Sequence, residues 1–174
     1  MTPSIRRGII LTVAVPIMTL AQMLLASSLT IFTATPDFLL LLALLAAMLM
    51  DANSSALFGF ISGTVYASIS APPEAGYGAI IVSWTITCFL VGWLESRIYQ
   101  DNYILAPPTI LIGTIVAGSL FFLFSPQIKP PHWIHALVLT AVYNSVLSVP
   151  VFLIFRKLMG KPASHTDLGI GGFS

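Results

Sequence analysis

Acidic side chains are the residues of this chain with the widest range of possible chemistry, because a carboxylate inside a membrane often binds a proton or an ion. Asp37 and Asp51 stand at opposite ends of a short leucine-rich segment, and we expect both to lie at a membrane interface. The other acids near apolar segments stand at segment ends: Glu74, Glu95 and Asp101. A proton relay needs further acids or histidines at depth, so the sequence does not predict one.

Histidines and nucleophiles give no better indication of a reaction. His132 and His135 are close enough to share a helix face, but structural zinc usually takes four ligands and no third one stands nearby. The sequence contains no nucleophile with a histidine or acid partner, no glycine-rich phosphate loop and no paired carboxylates at a useful spacing. We therefore predict a protein that is not an enzyme and has no cofactor and no metal.

Asn144 is the polar residue that most needs a partner. It belongs to a line with a four-residue spacing, formed by Ala136, Thr140, Asn144 and Ser148. An unpaired amide in mid-membrane costs several kcal/mol, so Asn144 must face protein or water. Two roles stay open: a hydrogen bond between helices, or a polar cavity at Thr140 and Asn144 that contacts a partner or a small ligand.

Small side chains form a second line with the same spacing. The ridge consists of Ser55, Gly59, Gly63, Ala67 and Ala71, with a Gly-x-x-x-Gly motif at its centre. Helices in lipid associate through close backbone approach, which small residues permit. The ridge therefore predicts helix contact, either within the fold or with the transmembrane helix of a partner.

Composition shows which elements must position these residues. Hydrophobic residues make up 57% of the 174 residues and charged residues only 7%, against roughly 25% in an ordinary soluble domain. Seven Lys and Arg against six Asp and Glu, with no basic stripe, argue against binding to nucleic acid. We predict an all-α integral membrane protein with one domain over residues 1–161 and a disordered cytoplasmic tail over 162–174. Its six spans are predicted at residues 8–32, 37–51, 54–71, 77–96, 103–124 and 133–155.

The second segment is short, and its flanks decide whether it crosses the membrane. Thr35, Pro36 and Asp37 have the types of an N-cap, an N1 proline and an acid favoured by the helix dipole. With six spans, one side of the membrane carries Arg6, Arg7, Arg97, Arg156, Lys157 and Lys161, and the other carries Lys129 alone. Because positive charge concentrates on the cytoplasmic side, we predict six spans with both termini in the cytoplasm.

The order of these features resembles the rod shape-determining protein MreD family, over residues from about 5 to 160. The matching motifs are Pro36-Asp37 before the leucine-rich segment, Gly59-Phe60-x-x-Gly63, Arg97, Asp101-Asn102, Asn144, Pro150-x-Phe152 and Arg156-Lys157. Many members of that family carry an Asp four residues after the second glycine, where this chain has Ala67. Any role of that Asp cannot be transferred to this chain.

The resemblance implies a non-enzymatic scaffold of the bacterial cell-elongation (rod) complex, or elongasome, in the inner (plasma) membrane. Such proteins support cell shape, the cell wall and peptidoglycan synthesis. They bind the bitopic protein MreC and, through it, the MreB filament, a SEDS-type glycosyltransferase and a penicillin-binding transpeptidase. The resemblance also implies a fold similar to that of the substrate-binding subunits of energy-coupling factor transporters.

Two other functions remain open at this point. One is a vitamin-binding subunit of an energy-coupling factor transporter, which would need a polar pocket beneath long outer loops. The outer segments of this chain are short and rich in proline, which favours the scaffold. The other is a lipid-handling transporter or flippase, for which a membrane lipid would occupy a hydrated cavity near Asn144.

Overall fold

Within the residues that the structure describes, the chain folds into six α-helices. This computed structural model describes residues 3–26, 28–30, 34–70, 76–98, 105–125 and 133–159. The helices in chain order are α1 (Pro3–Leu25), α2 (Phe38–Ala47), α3 (Ala52–Ser70), α4 (Tyr77–Ile98), α5 (Ala106–Phe124) and α6 (Trp133–Met159). These residues form no β-strand, so the prediction of an all-α fold is confirmed for the described part of the chain.

The helix ends differ from the predicted segments mainly at α1 and α2. α1 ends at Leu25 rather than at residue 32, and Leu29 N donates to Leu25 O at 2.9 Å in the turn that follows. α2 ends at Ala47 rather than at residue 51, and turns lead to the start of α3 at Ala52. The turn after α2 begins with Met48, Leu49 and Met50, so hydropathy alone could not mark the end of that helix. The predicted tail, 162–174, lies outside the described residues.

Four of the described helices are long and apolar enough to cross a bilayer. The qualifying windows are Gly8–Leu25, Tyr77–Leu94, Ala106–Phe124 and Trp133–Ile154, with mean hydropathies from 1.7 to 2.1. α2 has ten residues and a length of about 15 Å, half of the roughly 30 Å hydrocarbon core. α3 has 19 residues but does not reach the hydropathy of those four helices. The chain thus has the helices of a membrane protein, and six spans remain a prediction.

α2 forms the centre of the fold. It contacts each of the other five helices, and all residues from Leu39 to Ala47 are buried. A helix that is apolar on every side has no polar face to turn towards water, so it lies in a protein core or in lipid, and here the other helices surround it. The sequence FLLLLALLAA meets this requirement with leucines on all sides of the helix.

α3 and α4 pack closely because the ridge on α3 has almost no side chains. A Cβ atom built on Gly59 would lie 2.8 Å from Cys88 Cβ and 2.8 Å from the backbone oxygen of Trp84. A Cβ atom on Gly63 would lie 3.2 Å from the Cα atom of Ile81. The two glycines therefore allow a helix contact that any larger residue would push apart.

The ends of the ridge contribute to the same region of the fold. Ser55 is fully buried, and its Oγ donates to the backbone oxygens of Ala47 and Met50, both at 3.3 Å. The side chain of Ser55 also fills the space that a Cβ atom on Gly92 of α4 would need. Ala67 is 2% exposed, and Ala71, the last residue of the predicted ridge, lies outside the described residues.

The glycine contact generates a first prediction. Gly59→Ala should destabilise the protein by about 1–3 kcal/mol, because the new methyl group overlaps the backbone of α4. This loss exceeds the gain of up to about 1 kcal/mol in helix propensity. The matched control is Gly78→Ala in α4, where a Cβ atom meets nothing within 4 Å. Thermal unfolding in detergent should show a lower midpoint for the first variant alone, and equal midpoints would contradict this account of the contact.

Candidate functional site

At the start of α2, polar groups from three separate parts of the chain meet in hydrogen bonds. Asp37 is the N-cap residue, and its Oδ1 accepts from Leu40 N at 3.0 Å. The helix begins at Phe38, so the prediction of Thr35 as N-cap and Pro36 as first helical residue was wrong by two positions. Asp37 takes the cap because its carboxylate reaches the backbone N–H three residues on, which is free at a helix start.

α1 contributes the side chain of Gln22 to this helix start. Gln22 Oε1 accepts from Phe38 N at 2.8 Å, and Gln22 Nε2 donates to the backbone oxygen of Pro36 at 3.4 Å. Both ends of the amide thus bind the backbone on either side of Asp37. Gln22 was not among the site residues predicted from the sequence. A polar amide within the long apolar run of α1 is the signal that could have indicated it.

α6 contributes Asn144. Its Oδ1 accepts from Asp37 N at 3.1 Å, across 107 residues of sequence. The residue is fully buried, and its Nδ2 has no hydrogen-bond partner among the described residues. We call Gln22, Pro36, Asp37, Phe38 and Asn144 the polar node. It joins α1 and α6 to the first backbone N–H groups of α2, which the helix itself cannot satisfy.

Other predicted residues lie near the node without belonging to it. Ser148 is fully buried and donates from Oγ to the backbone oxygen of Ser145 at 2.6 Å. Ser145 in turn donates to the backbone oxygen of Pro107 at 2.8 Å, which links α6 to α5. Thr140 is half-buried, one turn before Asn144. Ser145 therefore links α6 to α5, the hydrogen bond of Ser148 lies within α6, and the glycines of the ridge on α3 serve the contact with α4.

An aromatic pair packs α3 against α4. The rings of Tyr66 and Trp84 have their centroids 4.9 Å apart, at an interplanar angle of 36°. Trp84 is buried, and its Cβ atom would lie 3.3 Å from a Cβ atom built on Gly63. The aromatic pair therefore belongs to the same close contact of α3 and α4 as the glycines.

Asp51 has a separate, local role in the turn between α2 and α3. Its Oδ1 accepts from Ser54 Oγ at 2.7 Å and its Oδ2 from Ser54 N at 3.2 Å, so it caps α3. These hydrogen bonds lower the pKa of the exposed Asp51 carboxyl group below its usual value. His135 is exposed, and His132 lies outside the described residues. Among the described residues no group of three or more His, Cys, Asp or Glu side chains could hold a metal ion.

The node can bind but offers no reacting pair. Asn144 supplies an amide donor, Asp37 a carboxylate acceptor and Gln22 an amide that is already engaged at both ends. Such groups hold backbone or a small polar molecule by hydrogen bonds. The sequence analysis predicted Pro36, Asp37 and Asn144 separately, and the structure brings these three together.

The node generates a second prediction. Asn144→Leu should destabilise the protein by about 1–3 kcal/mol, because Asp37 N loses its acceptor beside a fully buried side chain, where bulk solvent does not replace it. The matched control is Val146→Leu on the same helix, where the side chain is 64% exposed on the outer face. Thermal or denaturant unfolding measures both variants. Equal stability of the two variants would show that the hydrogen bond from Asp37 contributes nothing.

Comparison with known proteins adds no relative to this geometry. No family model, no curated protein and no solved structure matches the chain. The likeness to the MreD family and the fold similarity to the substrate-binding subunits of energy-coupling factor transporters therefore remain predictions from the sequence. The polar node and the glycine contact are therefore described from the structure of this chain alone.

Proposed function

We propose that the chain is a non-enzymatic scaffold of the bacterial cell-elongation complex, similar to MreD. In this proposal it lies in the inner membrane with both termini in the cytoplasm and binds a bitopic protein of the MreC type. Through that partner it associates with the MreB filament and with the membrane-bound peptidoglycan synthases. The six spans and the likeness to MreD are predictions from the sequence. The contact between Asp37 and Asn144 in the polar node supports the likeness.

The observation that carries the proposal is the hydrogen bond between Asp37 N and Asn144 Oδ1. The sequence resemblance rests in part on Pro36-Asp37 and on Asn144, which stand far apart in the chain. Had these motifs been unrelated matches, nothing would require them to be neighbours in the fold. Their contact gives the two motifs one structural purpose, which is to begin the short central helix.

The outer faces of α1 and α6 suit a protein that binds another membrane helix. In their apolar windows only 6% of residues of α1 and 17% of α6 are buried. The outward side chains of α6 are mostly β-branched, and they are Ile134, Val138, Val142, Val146, Val149, Leu153 and Ile154. β-branched side chains have few rotamers to lose when a helix packs against them. A single-span partner would contact one of these faces.

The proposed orientation generates a third prediction. Cys88 is the single cysteine and is fully buried, so Cys88→Ser gives a background without a reactive thiol. In this background Ser28→Cys should react with a membrane-impermeant maleimide added to intact cells, because the turn after α1 lies outside. Asn53→Cys should react only after the cells are opened. Both positions are exposed, so each controls for the accessibility of the other. The reverse pattern would exclude cytoplasmic termini.

The partner generates a fourth prediction. The tagged chain, extracted in mild detergent, should co-purify with the MreC-type bitopic protein encoded in the same genome. A bitopic protein of unrelated sequence, expressed at the same level, serves as the control. A panel of vitamins should leave the thermal midpoint unchanged. A large shift of the thermal midpoint by one vitamin, together with no co-purification, would favour a vitamin-binding subunit instead of a scaffold.

A further inference from the structure

The unpartnered amide nitrogen of Asn144 is the described polar group that the fold leaves unexplained. Its orientation follows from hydrogen-bond chemistry, because Asp37 N is a donor and only the amide oxygen can accept from it. Exchanging the two ends of the amide would place two donors against each other. Nδ2 therefore points away from Asp37 N, and its two N–H groups have no acceptor among the described residues.

An amide without an acceptor is costly here. Leaving a buried polar group unpaired costs roughly 1–3 kcal/mol in proteins, and more where water is excluded. Thr114 Oγ1 is the other described buried side-chain atom without a partner, but it stands alone. Asn144 differs because it belongs to a node with a carboxylate. A buried group of this kind commonly binds an ordered molecule with several polar partners.

Asn144 Nδ2 and the other groups of the polar node restrict the chemistry of such a molecule. It must accept a hydrogen bond from Nδ2, which argues against a cation. It must also tolerate the carboxylate of Asp37, which argues against an anion. A neutral hydroxyl group meets both conditions, because its oxygen accepts from the amide while its hydrogen donates to the carboxylate. Asp37 Oδ1 already accepts from Leu40 N, so Oδ2 is the oxygen left to receive that hydrogen.

We propose that the polar node binds a buried water molecule, which accepts from Asn144 Nδ2 and donates to Asp37 Oδ2. The water links α6 to the cap of α2 in addition to the direct hydrogen bond from Asp37 N. An alcohol group of a small ligand would have the same chemistry, and the experiment separates the two sources. Asn144 is fully buried, so we expect this water to exchange more slowly with bulk solvent than water at the surface.

Solid-state NMR of the full chain in lipid bilayers tests the site. The chain has three asparagines, Asn53, Asn102 and Asn144, so ¹⁵N-asparagine labelling gives few side-chain amide signals. The Asn144 signal is assigned by its loss in Asn144→Ala. Magnetisation should transfer from a slowly exchanging water proton to the Asn144 amide. The exposed Asn53 should show only the rapid exchange of surface water.

Asp37→Ser supplies the matched variant. Serine also caps helices, so α2 keeps its start, but the variant lacks the second carboxylate oxygen. The transfer to Asn144 should be lost while the thermal midpoint stays within a few degrees of the native value. The proposal is overturned if the native chain shows no transfer, if the transfer persists unchanged in Asp37→Ser, or if the proton source is a carbon-bound proton of a small molecule. Should Asp37→Ser not fold, the measurement on the native chain decides alone.

Discussion

The fold depends on one constraint, which is that α2 begins inside the helix bundle, where bulk solvent does not satisfy its backbone. The first N–H groups of a helix have no partner within the helix, and inside a membrane each unpaired group costs several kcal/mol. Three side chains accept hydrogen bonds from the N–H groups at the start of α2. Asp37 accepts from Leu40 N, Gln22 accepts from Phe38 N, and Asn144 accepts from Asp37 N. Two of them come from other helices, so α2 can form only as part of the assembled bundle.

The same constraint explains why the helices around α2 differ so much in composition. α2 is apolar on every side, and lipid offers no hydrophobic force that would hold it against its neighbours. Close packing must do this, and close packing needs small side chains such as Gly59 and Gly63, whose Cβ atoms would collide with α4. Small and hydroxyl-bearing residues lower the hydropathy of α3. For this reason α3 is not among the four described helices that are long and apolar enough to cross a bilayer.

The sequence predicted the parts of this arrangement that depend on local pattern. Apolar runs between prolines and charges gave the six helices, and the four-residue spacing of small residues gave the face that α3 turns to α4. It also predicted that Asn144 must face protein or water, since the cost of an unpaired amide does not depend on the fold. The positions of the helix ends were harder to predict from the sequence. Ala47 ends α2 within apolar sequence, where the hydropathy does not fall, and Leu25 ends α1 before two serines and a threonine, which occur inside other helices of this chain as well.

What the sequence could not give was the pairing between distant residues. The contact of Asp37 with Asn144, and the role of Gln22, depend on how α1, α2 and α6 are placed relative to one another. A periodic pattern within one helix contains no information about that placement. The prediction of Thr35 as the N-cap was wrong for a similar reason. Threonine is a residue type that fits a helix start, but only the geometry shows that the carboxylate of Asp37 reaches Leu40 N.

The distribution of polar groups also bears on how such a protein can meet a partner. Gln22, Asn144 and Ser148 are buried or half-buried and engaged with the backbone of the fold, whereas most outward positions of α1 and α6 are aliphatic. A partner in the membrane would therefore find shape and van der Waals contact on these faces rather than hydrogen bonds. Recognition of that kind needs a rigid surface, since small gaps forfeit much of the contact energy. The polar node supplies rigidity by fixing α1 and α6 to α2, so its effect on a partner would be exerted through the position of these two helices.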